Sequence, residues 1–162
     1  MTVRARIWPA VLCVLVAAAL LGVGLLGWRA FRAEQARDEV DRAVAAARSG
    51  IEEVYSYDSS TLGEDLARAR ALVTGPFAAQ FEQTARDVIV PAGRERSFTA
   101  VVAVARIALV DAGPGRVDVL LLADQTVRAS TQPQPEQQDL QLAVTMTRDG
   151  DGPWLISRSD PL

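Results

Sequence analysis

The side chains fall into three successive patterns, and each predicts a different kind of element. Residues 7–28 carry no charge. At about 1.5 Å per residue a helix of that length reaches ~33 Å, enough to cross a hydrocarbon core of about 30 Å. The pattern then turns amphipathic: up to Val54, apolar Val40, Val44, Ala47, Ile51 and Val54 recur at spacings of four and three, with Glu34, Asp38, Arg42 and Arg48 between them. One helical stripe is expected over 29–54. Five positions are too few for a coiled coil, so the stripe meets the domain's own core or a partner helix, with core packing the expectation.

The stretch from Tyr55 to Ser60 breaks that period, and Ser60 or Thr61 can cap a second helix carrying Leu62, Leu66, Ala69, Leu72 and Val73. Glu64 and Asp65 place negative charge in its first turn, where the helix dipole favours it. Gly75 is expected to stop this helix and Pro76 to open a third. The third carries Phe77, Phe81, Ala85, Val88 and Ile89, with Pro91 and Gly93 as its stop.

After Ser97 the period becomes two. Residues 97–110 read as a strand, Asp111 to Gly115 as a turn and Val117 to Val127 as a returning strand. Ser130 to Gln138, rich in proline and glutamine, reads as an exposed, mobile loop. Leu140, Leu142, Val144 and Met146 then alternate with polar or small residues, and a turn at Asp149–Gly152 leads into a short strand at Trp154, Leu155 and Ile156. The expected fold class is α+β: an N-terminal transmembrane helix, then about three helices packed on a curved antiparallel sheet of four strands. That order matches a nuclear-transport-factor-2-like (NTF2-like), or SnoaL-like, cone. The expected domains are a cytoplasmic tail at 1–6, a transmembrane helix at 7–28, a juxtamembrane helix at 29–54 leading into the domain, and the rest of the cone at 55–162.

Composition removes chemistry more than it adds any. Histidine, lysine and asparagine are absent and all 17 basic residues are arginine, so no imidazole base, histidine triad or histidine metal site is available. The only cysteine, Cys13, lies in the apolar run and follows Leu12 rather than a small residue, which argues against a lipoprotein signal. Beyond Arg32, 13 arginines stand against 20 acidic residues, a formal charge of −7. With the arginines scattered among acids, nucleic acid is not an expected partner. No cofactor, nucleotide or metal signature occurs.

The flanks of the apolar run favour an uncleaved anchor over a signal peptide. Ala17, Ala18 and Ala19 offer small residues, but the run continues through Leu26 and Trp28, so cleavage there would bisect it. Pro9 sits in the first turn, and Trp8 and Trp28 bracket the run as interfacial aromatics do. Arg4 and Arg6 nearly balance Arg29, Arg32 and Arg37. A tail this short is more simply kept inside, so a single-pass plasma-membrane protein with an extracytoplasmic C-terminal domain is expected. Ala18 and Gly22 form a small-xxx-small pair that would let another helix approach, though ordinary membrane composition explains it equally well.

The segments Ser56-Tyr57-Asp58, Thr61-Leu62, Asp65-Leu66-Ala67-Arg68-Ala69-Arg70 and Leu72-Val73-Thr74-Gly75-Pro76-Phe77, with Trp154-Leu155-Ile156 near the end, resemble the mammalian-cell-entry (Mce) associated membrane proteins of actinobacteria. The resemblance covers the chain from the anchor to Leu162. It implies an extracytoplasmic cone domain and an accessory or stabilising role beside Mce systems, which import lipids and sterols across the cell envelope. The implied partners are Mce transporter subunits or other membrane proteins, with lipid as a further candidate. The motif residues Tyr57, Asp58, Gly75, Phe77 and Trp154 read as structural: a buried ring, an amide-binding carboxylate, a helix stop and two sources of core area.

Three functions compete. An accessory interaction domain comes first. A lipid-binding pocket comes second, because pairs such as Val101/Val102 and Leu120/Leu121 put apolar side chains on both faces of the first two strands. An enzyme comes third. It would need Asp124 buried beside Tyr55 or Tyr57 as a base, whereas a scaffold leaves Asp124 exposed or paired.

Overall fold

The computed structural model describes residues 34, 37–95, 97–130 and 134–162. The expected tail and membrane helix lie outside the described residues, and among those described no helix is long and apolar enough to cross a membrane. The folded body runs from Val40 to Leu162.

Helix α1 (37–55) carries the expected stripe, rotated slightly: Ala43, Ala47 and Ile51 are fully buried with Val54, while Val40 and Val44 are half-buried. The stripe belongs to the domain's own core, alongside Phe77, Leu121, Met146 and Ile156. Strand β1 (Tyr57–Asp58) follows, then α2 (Leu62–Arg70), α3 (Gly75–Thr84), a π-helical turn (Ala85–Ile89), α4 (Val90–Glu95) and four long strands. These are β2 (Phe98–Gly113), β3 (Arg116–Ala129), β4 (Glu136–Thr147) and β5 (Leu155–Pro161). All five strands lie side by side in chain order, every neighbour antiparallel.

The sheet thus has five strands rather than four, because the tyrosine-aspartate turn pairs with Ala100 and Thr99 as a short edge strand. Register shifts at Val104/Arg106 and Leu109/Asp111 leave an extra residue in β2, and the shift opposite Thr145/Met146 leaves one, Ser157, in β5; these bend and twist the strands. The curvature lets α1 reach two separated strands. A Cβ on Gly50 would stand 3.2 Å from Ile156 of β5. On the other side three polar side chains, two from α1 and one from Ser56 just past its end, finish the edge of β2: the Val102 amide donates to Ser56 Oγ (2.8 Å), the Val104 amide donates to Glu52 Oε1 (2.9 Å) and Arg48 donates to the Val104 carbonyl. Residues 48, 52 and 56 are spaced four apart, so one face of α1, extended by the residue that follows it, takes the place of a missing strand.

Other boundaries differ for identifiable reasons. Helix α2 ends at Arg70, not at Gly75, because Leu72 to Thr74 are drawn onto β5: the Ile156 amide donates to Leu72 O (2.9 Å) and the Thr74 amide to Ile156 O (2.8 Å). Gly75 instead begins α3 with φ 56°, a left-handed conformation that glycine adopts without strain. Pro91 does not stop the third helix. The Val90 amide reaches back five residues to Ala85 O, and this wider turn lets the chain continue past the proline to Glu95. Gly93 is tolerated for packing, since a Cβ there would stand 2.7 Å from Leu62 Cδ2. The strands run beyond their expected ends. Glu136 to Gln138 pair with Val127 to Gln125 instead of forming loop, and residues 131–133 of that loop lie outside the described residues.

Candidate functional site

Three regions hold the chemistry-bearing side chains. The first is a polar knot that ties β1 to α2. Asp65, buried on α2, accepts the Asp58 amide (2.8 Å) and the Thr61 hydroxyl (3.0 Å) on Oδ2, and Arg68 Nη2 (2.6 Å) on Oδ1. Arg68 also donates to Glu53 of α1 (2.6 Å). Asp58 accepts the Ser60 amide (2.8 Å), the Ser60 hydroxyl (2.6 Å) and the Thr99 hydroxyl (2.7 Å). The Ser60 hydroxyl, then the Ser60 amide and Thr99, hold the Asp58 carboxyl below its ordinary range. Burial pushes Asp65 up, but the Asp58 amide, Thr61 and Arg68 outweigh it and leave its carboxyl lowered too. Both carboxylates are fully engaged in bonds that shape the chain, which is poor preparation for proton transfer.

The second region is a partly open cavity of about 250 Å³ between the inner face of the sheet and the π turn with α4. Tyr57 and Phe98 form one wall, their rings meeting edge to face at 5.9 Å and 83°. Ile89, Ala92, Ala100, Val127 and Ala129 complete an apolar lining, and Gln125 and Glu136 are its remaining polar side chains. Burial, with a smaller effect from Tyr55, raises the Tyr57 phenol above its ordinary value.

The third region is the outer face of β2 and β3. The register places Val101, Ala103, Arg106 and Ala108 beside Thr126, Asp124, Leu122 and Leu120. Val101 is 53% exposed, Leu120 40% and Leu122 44%, whereas their inward neighbours Val102 and Leu121 are buried. The surplus of apolar residues on these strands is therefore a second surface. Asp124 lies on it, exposed and opposite Ala103 and Asp139, on the sheet face away from the cavity. The geometry required of a base is not met.

The motif residues are thus dispersed. Tyr57 lines the cavity, Asp58 belongs to the knot, Gly75 starts α3, and Phe77 is core. Trp154 is half-buried beneath the Arg148 guanidinium, 5.1 Å from its ring centroid. Tyr55 shares a hydrogen bond with buried Ser159 (3.0 Å) at the far side of α1. Asp65 was legible only as a helix-dipole acid, since nothing in sequence signals that it is buried. Gln125 and Glu136 carry no signal of their own.

A family model described as "Uncharacterized protein Rv1363c/MT1408-like" matches residues 5–160. The chain belongs to the Rv1363c/MT1408-like family. Mycobacterium tuberculosis relatives include the uncharacterized protein Rv1362c, 30% identical over 154 residues, 92% of this chain and 70% of the relative. The outer membrane protein Rv1973 is 32% identical over 141 residues, 87% of each chain. Among solved structures, this Rv1363c/MT1408-like chain is similar in fold to an IcmL-like type IV secretion system protein from Legionella pneumophila (TM-score 0.60, 12% identity, 74% of this chain and 90% of that one). Agrobacterium tumefaciens VirB8 (0.56, 13%, 73% and 88%) and the periplasmic domain of DotI (0.55, 15%, 74% and 91%) share it as well. At such identities the likeness establishes the fold alone.

Proposed function

We propose that the chain is a non-enzymatic, membrane-anchored accessory subunit whose domain works outside the cytoplasm as a protein-interaction module of an Mce-type lipid or sterol import system. The observation that carries the reading is the exposed aliphatic strip of Val101, Leu120 and Leu122 on a sheet face that no described element covers. The acidic side chains of the knot are spent on structural bonds, and Asp124 stands apart from the cavity. A membrane tether at 7–28 and the motif segments around Tyr57-Asp58 and Gly75-Pro76-Phe77 support the placement beside Mce systems. A fold shared with a protein described as a periplasmic domain supports the side of the membrane. Lipid carriage ranks second, because the cavity is smaller than the ~300–1,000 Å³ typical of ligand pockets.

The test is affinity purification of the full-length protein from its native membrane in mild detergent, followed by mass spectrometry of proteins and lipids. Mce subunits are expected in the wild-type eluate and depleted with Leu120→Glu/Leu122→Glu. A lone protein carrying stoichiometric lipid overturns the reading.

A further inference from the structure

The cavity beside Tyr57 is kept open by small residues. Ala92 of α4, Ala100 of β2 and Ala129 of β3 all face it, whereas further along the inner face the same strands carry Val102, Val104, Val119 and Leu121, all buried. Large side chains would close the space and add packing, so the alanines leave a void where a core would ordinarily fill one. Its polar residues reach solvent: Tyr57 and Gln125 are half-buried and Glu136 is exposed. Among the described residues, Tyr57 Oη, the Gln125 amide and the Glu136 carboxylate have no hydrogen-bond or ion-pair partner, and all three residues line this one cavity. The carboxylates of the knot, in contrast, are each bound several times over.

An apolar space with a few convergent, unengaged polar groups is the arrangement of a small-molecule site. Size and charge narrow the occupant. About 250 Å³ admits one ring or a short chain and is too small for a sterol. Among the described residues Glu136 is the only charged side chain of the lining, and it sits in a domain of net negative charge, so a fatty acid's carboxylate is repelled and a cation attracted. The edge-to-face pair of Tyr57 and Phe98 offers a ring face to an aromatic body or a cation. We propose that this cavity binds a small amphiphilic amine, its apolar body among Ala92, Ala100 and Ala129 and its ammonium on Glu136, with Tyr57 and Gln125 completing its hydrogen bonds. The proposal is independent of the accessory role.

The experiment titrates full-length protein in phosphatidylcholine nanodiscs with phenylbutylamine, phenylbutanol and phenylbutyrate by isothermal calorimetry, with empty nanodiscs subtracted. One saturable site is expected, taking the amine about tenfold more tightly than the carboxylate. Glu136→Gln should bring the amine down to the alcohol's affinity and leave the alcohol unchanged. Ala129→Leu should abolish binding of all three, and Ala92→Leu, which fills the same space from α4, serves if the first variant fails to fold. Nanodiscs made with phosphatidylethanolamine separate two sources of the amine: competition assigns it to a lipid headgroup, and no competition to a free molecule. Equal affinity for the three probes, no saturable site, or undiminished amine binding by a folded Ala129→Leu or Ala92→Leu protein overturns the proposal.

Discussion

Replacing Asp65 by alanine should release β1 from α2. Asp65 is 6% exposed, and its side chain accepts from the Asp58 amide, the Thr61 hydroxyl and Arg68. The part-buried Asp58 amide loses its acceptor, at about 1–3 kcal/mol, and the Thr61 bond contributes about 1 kcal/mol more. Arg68 is 57% exposed, so solvent screens its ion pair and it adds little. The sum is ~3 kcal/mol. With an m-value of about 2 kcal/mol/M, the urea midpoint should fall by ~1.5 M, read by pulse proteolysis of the full-length protein in detergent. Asp65→Asn keeps an oxygen for the Asp58 amide and should lose no more than ~1 kcal/mol. Hydrogen exchange should show the Asp58 amide as the group most deprotected in the alanine variant. A midpoint shift below about 0.3 M, or equal loss in both variants, would refute the view that this carboxylate holds the edge strand.

Three further outcomes can be checked alongside it. Asp58, Asp65 and Asp118 all have lowered carboxyls, Asp118 through Arg116 first and Thr145 after it. Their stabilisation should be complete above the ordinary aspartate value of 3.8 and be lost as pH falls through the lower folded-state values; urea midpoints flat across that range would contradict this. Gly115→Ala should cost more than Gly75→Ala: both have positive φ, but only at Gly115 would a Cβ meet a backbone oxygen, Arg148 O at 2.8 Å. Thermal unfolding should separate them, with about 1–2 kcal/mol at Gly75 and visibly more at Gly115. Ile51→Ala, at a fully buried position of α1, should cost about 2–5 kcal/mol by urea unfolding, and a change under ~1 kcal/mol would place α1 outside the core.

Periodicity carried most of the architecture. The stripe from Ala47 to Val54 and the alternation from Leu140 to Met146 name their own buried faces, since a period of 3.6 or 2 leaves one solution once a core exists. What escaped is set by partners distant in sequence. Tyr57 and Asp58 read as a turn because two residues show no alternation, and only pairing with Ala100 and Thr99 makes them a strand. Leu72 and Val73 fit a helical stripe until β5 claims their backbone. Pro91 is a helix stop by every local rule, and the π turn before it is visible only in three dimensions. The cavity is illegible for the same reason: Ala92, Ala100 and Ala129 are unremarkable alone, and their shared space arises when α4 folds over the sheet.

The junction between α1 and β2 limits how this chain can vary in length. Arg48 and Glu52 of α1 and Ser56 just past its end serve the strand edge only while the helical spacing keeps them on one side. Adding or deleting a single residue between 48 and 56 would rotate one part of that face by about 100° relative to the other. Part of the edge of β2 would lose its acceptors and be left free to recruit a foreign strand. Substitutions at 48, 52 and 56 can exchange one hydrogen-bonding side chain for another, but the count of residues between them is fixed by the pitch of the helix.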